Sequence, residues 1–92
     1  MQIETIERAK KIDESKQIIA EIEERVGFKL SNPRYALSVA SKNLQSDSMY
    51  IDQMVGAMSE AAGYAIDHGH DALASKAIQS TTELEETVSE DE

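Results

Sequence analysis

Apolar residues recur at helical spacing along the first third of the chain. Ile12, Ile19 and Ile22 share one face, because positions three, four and seven residues apart in a helix lie side by side. Gly27 follows this pattern and suits the position just after a helix, where the backbone often turns left-handed. The pattern therefore predicts a first helix from about residue 3 to 26.

The next helix start is indicated by a short polar motif. Ser31 or Asn32 suits the N-cap position, and Pro33 suits the first helical position, where its missing N–H is not needed. Apolar residues then continue to Leu44, and the polar stretch at 45–48 interrupts the pattern. We expect a second helix from Pro33 to about Leu44.

The third apolar stretch begins near residue 48. Met58, Ala62 and Ile66 fall on one face, and the same phase continues past Gly69. A glycine inside a helix lowers the stability of that helix, and a glycine just after a helix can end it. We therefore expect residues 48–80 to form either one long kinked helix or two helices. No segment alternates in the manner of a strand.

Together these patterns predict an all-α fold, a small antiparallel bundle of three to four helices. The chain has 92 residues, of which only 19 are Ile, Leu, Val or Phe, and it has no cysteine. So small a core without disulfides is commonly completed by association, and we expect a homo-oligomer. We expect residues 1–82 to form a single domain and residues 83–92 an acidic, frayed tail.

Charge is distributed unevenly along the chain. The net charge of −9 divides into +1 for residues 1–45, from 8 basic and 7 acidic residues, and −10 for residues 46–92, from 1 and 11. Such a balance disfavours direct nucleic-acid binding, because phosphates attract basic surfaces. It favours a basic protein surface as partner. The start of the chain has no long apolar run, so we expect a cytoplasmic protein without a membrane anchor.

Both histidines lie in the segment "IDHGHD". As metal ligands, Asp67, His68, His70 and Asp71 are poorly spaced, because residues two apart on a helix point in nearly opposite directions. As a joint between helices, each has a simple role: His68 lies at a helix C-terminus, Gly69 turns left-handed and Asp71 caps the next helix. We favour the joint, and we expect no metal, no catalytic residue and no cofactor.

The start of the second helix is a candidate site for a small anion. The N–H groups at a helix N-terminus attract phosphate, Arg34 is suited to pair with an anion, and Tyr35 is suited to stack on a base. Lys29, Asn32 and Lys42 complete this candidate ligand site. The alternative is an ordinary helix start with an exposed arginine.

Small and flexible side chains mark a candidate protein interface in the third helix. Ala57, Ala61 and Ala65 recur every four residues, a spacing that lets another backbone approach closely. Met54 and Met58 are adaptable apolar residues that suit a partner groove. The alternative is tight packing of the same five residues inside the monomer.

These observations favour a small acidic regulator or inhibitor that acts through protein–protein contacts and is not an enzyme. In composition, such a protein is similar to phage-encoded inhibitors of host systems. One alternative is a helical oligomer that binds or sequesters a small anion such as a nucleotide. A second alternative is an acidic DNA mimic, whose carboxylates take the place of phosphates.

Overall fold

The structure is a computed structural model that describes residues 3–43 and 49–89. These residues form four helices and no strand: α1 (Ile3–Val26), α2 (Ser31–Lys42), α3 (Met49–Asp67) and α4 (Asp71–Ser89). The predicted all-α class is confirmed. Residues 49–89 form two helices that separate at 68–70, which decides between the two alternatives left open by the sequence.

The first helix has the predicted bounds, whereas the second begins earlier than predicted. α1 ends at Val26, and Gly27 follows with a φ of +90°. α2 begins at Ser31, with Leu30 at its N-cap, so the predicted cap at Ser31 or Asn32 was wrong. The side chain of the N-cap residue makes no capping hydrogen bond. Instead, the Glu23 carboxylate of α1 accepts a hydrogen bond from the Leu30 N–H. The predicted break at 45–48 lies outside the described residues.

Helices α1 and α4 pack antiparallel. The buried hydroxyls of Ser15 and Ser80 are hydrogen-bonded at 2.5 Å, and Lys11 of α1 reaches Glu83 of α4 at 3.0 Å. Residue numbers therefore increase along α1 while those of the contacting residues decrease along α4, so the two helices run in opposite directions. The core between the four helices contains Ile12, Ile19, Ile22, Leu30, Leu37, Ala40, Ile51, Met54, Met58, Ala61, Ala62, Ala65, Ala74, Ala77 and Leu84.

Helices α2 and α4 lie on opposite sides of the bundle. Within the described ranges, α1 and α3 contact each other and both remaining helices, whereas α2 and α4 do not touch. The described part of α4 continues to Ser89, so residues 83–89 are helical; the division into a domain and a tail at residue 83 stays a prediction. Neither range contains a helix long and apolar enough to cross a membrane.

Candidate functional site

One buried carboxylate fixes the junction between α1 and α2. Glu23, only 7% exposed, accepts the Leu30 N–H at 2.8 Å and the Arg34 Nε and Nη2 groups at 2.6 and 2.5 Å. The hydrogen bonds from Arg34 lower the pKa of the Glu23 carboxyl, against the opposing effect of its burial, and the pKa of Arg34 is raised in return. The predicted anion-binding arginine is therefore already engaged by a carboxylate of its own chain.

The structure does not gather the predicted ligand residues into one pocket. Lys29, Asn32, Tyr35 and Lys42 are all exposed, and the Tyr35 side chain is 73% exposed. Only Arg34 of the predicted set lines the groove between α1 and α2. This groove has a volume of about 340 Å³ and is lined by Lys16, Ile19, Ala20, Arg34, Leu37 and Ser38.

Two of these groove residues were missed by the sequence analysis. Lys16 supplies a second cation and Ser38 a hydroxyl, and no carboxylate is among the lining residues. Neither was detectable as a site residue, because they meet only when α1 packs against α2. Their one local signal is spacing: Lys16 is three residues before the buried Ile19, and Ser38 follows the buried Leu37.

A second groove, between α1 and α4, is occupied by ion pairs. Lys11 bridges Glu83 at 3.0 Å, and Lys76 lies 3.6 Å from Glu21. The hydrogen bond to Glu83 raises the pKa of Lys11. Because these charges already have partners of opposite sign, the groove is a weaker candidate for an ionic ligand than the α1–α2 groove.

The segment with both histidines forms the predicted joint. Gly69 has a φ of +83°, its N–H bonds to the Ile66 carbonyl at 2.9 Å, and the His70 N–H bonds to the Ala65 carbonyl at 2.8 Å. These two bonds form a Schellman motif, which satisfies the last carbonyls of α3. His68 Nδ1 lies 3.0 Å from the Tyr64 carbonyl. The joint interpretation is confirmed for His68 and Gly69, whereas α4 begins at Asp71 itself, so the predicted cap at Asp71 was wrong.

An aromatic contact covers the same joint. The ring of Phe28, in the α1–α2 turn, meets Tyr64 edge-on at 5.4 Å between centroids and lies 6.1 Å from the His68 ring. Across residues 3–43 and 49–89, no three His, Cys, Asp or Glu side chains are placed to hold a metal ion together. The weak metal candidates Asp67, His68, His70 and Asp71 thus stand at a structural joint.

The five predicted interface residues lie inside the bundle. Met54, Met58, Ala61 and Ala65 are fully buried, and Ala57 is 9% exposed. The small side chains let neighbouring helices of the same chain approach, which is the packing alternative. A partner surface formed by these five residues is therefore not available on the folded chain.

The outer surface of α3 and α4 is acidic instead. Two isoleucines on it are half exposed, Ile66 at 52% and Ile78 at 51%. The one basic residue in the described part of these helices is Lys76, which faces Glu21 of α1. The exposed carboxylates of this surface are Asp52, Glu60, Asp67, Asp71, Glu85 and Glu86.

The chain matches no protein-family model, no curated protein and no solved structure. A functional proposal for it therefore depends on the geometry and charge of these surfaces.

Proposed function

We propose that the protein is a small, cytoplasmic, nonenzymatic regulator or inhibitor that binds a basic protein surface through the outer faces of α3 and α4. The supporting observation is that six exposed carboxylates share these faces with a single lysine, which is paired with α1. Such a surface attracts a basic partner over about one Debye length, roughly 10 Å at moderate salt.

Apolar contact points accompany the charge. Charges mainly accelerate and orient an encounter, whereas buried apolar side chains contribute much of the affinity. Ile66 and Ile78 provide such side chains among the carboxylates. The proposed interface therefore consists of exposed isoleucines and acids, whereas the sequence had indicated methionines and alanines that are buried.

The proposal of a nonenzymatic role is supported by the positions of the groups suited to acid–base chemistry. His68 and His70 stand at the helix joint, and neither lines the α1–α2 or the α1–α4 groove. The three acids that line the α1–α4 groove, Glu14, Glu21 and Glu83, are all paired with lysines.

A charge-reversal experiment tests the main proposal. In the test variant, Glu60→Lys and Asp67→Lys alter α3; in the control, Asp13→Lys and Glu24→Lys alter exposed acids of α1 and change the net charge equally. Each tagged protein is purified from cells, and its partners are quantified by mass spectrometry. We expect the test variant to lose a partner that the control keeps. Equal retention by both variants, or no partner at all, would contradict the proposal.

Regular placement of acids on an ordered helix favours DNA mimicry as one form of this function. Asp52, Glu60 and Asp67 are exposed and follow each other at eight and seven residues, about 10–12 Å along the axis. A DNA mimic binds a nucleic-acid-binding surface, so duplex DNA should displace the partner. A partner that stays bound in excess duplex DNA would exclude mimicry.

The α1–α2 groove supports a second candidate function, the binding of a small anion such as a nucleotide. Lys16 and Ser38 provide donors at its wall, above the apolar floor of Ile19 and Leu37, whereas Arg34 is already paired with Glu23. Titration calorimetry with AMP and with inorganic phosphate tests this function. Lys16→Glu should abolish binding and Lys10→Glu, on the exposed surface of α1, should not; no heat with either probe would contradict it.

We also propose that copies of the chain associate. Association would remove apolar area from water at some of the five large apolar side chains that are between 43% and 73% exposed: Ile6, Phe28, Tyr35, Ile66 and Ile78.

A further inference from the structure

The two helices that lie on opposite sides of the bundle carry opposite charges. Residues 25–46 contain four basic residues and no acid, and this stretch includes all of α2. Helix α4 contains four acids, Asp71, Glu83, Glu85 and Glu86, and one lysine, Lys76. Because α2 and α4 do not touch, with α1 and α3 between them, the molecule has a basic side and an acidic side.

The outer face of α2 presents an aromatic ring and, two helical turns further on, a cation. Ser31, Tyr35, Ser38 and Lys42 are exposed and follow each other at four, three and four residues, so they form one stripe along the helix. Tyr35 is its centre and is 73% exposed. Arg34 lies next to this stripe and its charge is offset by Glu23, so Lys42 is the cation within the stripe itself.

The outer face of α4 presents an apolar side chain between two carboxylates. Asp71, Ile78 and Glu85 are exposed and seven residues apart, which places them along one side of the helix. Seven residues correspond to about 10.5 Å of helix. The same interval separates Tyr35 from Lys42. If the ring of Tyr35 packs against Ile78, Lys42 therefore lies beside Asp71 or Glu85.

We infer that the α2 face of one copy docks on the α4 face of a second copy, in a head-to-tail contact. This inference rests on the proposal that copies associate and adds which surfaces meet. The second copy is the occupant that the charges favour, because the chain itself carries both members of the complementary pair. The two faces differ, so each contact leaves one face of each kind unused, and assembly continues into a ring or an open chain.

Two variants, each altered on one face, test the contact. The α2-face variant carries Tyr35→Glu and Lys42→Glu; the α4-face variant carries Ile78→Gln and Glu85→Gln. The second uses neutral residues so that the two altered faces do not attract each other. Molar mass is measured by analytical ultracentrifugation over a range of concentrations, and far-UV circular dichroism checks that each variant stays helical.

The head-to-tail contact predicts a distinctive result. The unaltered protein should form species larger than a dimer, and its apparent Kd should rise about tenfold between about 50 and 500 mM NaCl. Each variant alone should be a monomer. An equimolar mixture of the two should give a dimer and nothing larger, because one intact face of each kind remains. The control Lys10→Glu should assemble as the unaltered protein does.

Three results would overturn the inference: an unaltered protein that stays monomeric, one that stops at a dimer, or a mixture that stays monomeric. If a double variant loses helicity, the single changes Tyr35→Ser and Ile78→Ser, both at exposed positions, replace it in the same mixing experiment. A monomeric protein that still loses its partner through Glu60→Lys and Asp67→Lys would overturn this contact alone. Head-to-tail assembly of a protein for which no partner is found would support this contact and contradict the proposed function.

Discussion

Removing the Glu23 carboxylate should destabilise the fold more than removing any exposed acid of α1. Glu23→Ala takes away the acceptor of the Leu30 N–H, and Leu30 is itself only 3% exposed. A buried N–H without an acceptor costs about 1–3 kcal/mol. Arg34 is half exposed and regains water, so its lost ion pair adds less. We expect the free energy of unfolding to fall by about 2 kcal/mol.

A graded series of substitutions isolates this effect. Glu23→Gln keeps one acceptor oxygen for Leu30 but places an NH₂ group near Arg34. Its free energy of unfolding should therefore lie between those of the wild type and Glu23→Ala. The neighbouring exposed Glu24→Ala is the matched control and should change stability by less than about 0.5 kcal/mol. Urea unfolding followed by circular dichroism measures all four proteins at neutral pH. Equal unfolding midpoints for Glu23→Ala and Glu24→Ala would refute the reasoning.

The same carboxylate makes a pH-dependent contribution whose sign follows from its pKa. Arg34 lowers the pKa of Glu23 below its ordinary value of 4.5, so the unfolded chain binds this proton more readily than the folded chain. The contribution is therefore complete above about pH 4.5 and is lost as the pH falls through the lower, folded value. The stability difference between wild type and Glu23→Gln should shrink over that range. A difference that is constant with pH would contradict this linkage.

Three further changes follow from local geometry. Gly56→Ala and Gly63→Ala should each raise the free energy of unfolding by about 0.5–1 kcal/mol, because an added Cβ meets nothing within 4 Å; a lower urea midpoint would contradict this. Ser15→Ala or Ser80→Ala should each cost about 1–3 kcal/mol, and the double change less than their sum, as a double-mutant cycle would measure. Gly69→Ala should cost about 1–2 kcal/mol in the same assay because its φ is +83°; an unchanged midpoint would be inconsistent with that conformation.

The helices were largely predictable because their signals are local. A repeated apolar spacing indicated α1, and both Gly27 and Gly69 adopt the positive φ that their place after a helix required. The start of α2 was not predictable in this way. Its cap is Glu23, seven residues before Leu30, and that contact exists only once α1 has ended and the chain has turned back.

The candidate site was less predictable because it depends on how helices pack. Periodicity correctly groups Met54, Met58 and Ala61 on one face, but it does not say whether that face meets the same chain or another. The groove between α1 and α2 depends on the same missing information. Lys16 and Arg34 are 18 positions apart in sequence, and no local pattern joins them.

The glycines of α3 connect the stability of the fold to the proposed function. Gly56 and Gly63 occupy the same outer face as Glu60 and Asp67, because the four residues follow each other at intervals of four, three and four. Each glycine lowers helix stability by about 1 kcal/mol relative to alanine. Among the described residues, no other helix comes within 4 Å of a Cβ added at either position. A partner backbone that approaches this face closely would use that space. Gly63→Ala should then raise the urea midpoint yet weaken partner binding, whereas binding as strong as that of the wild type would contradict a close approach on α3.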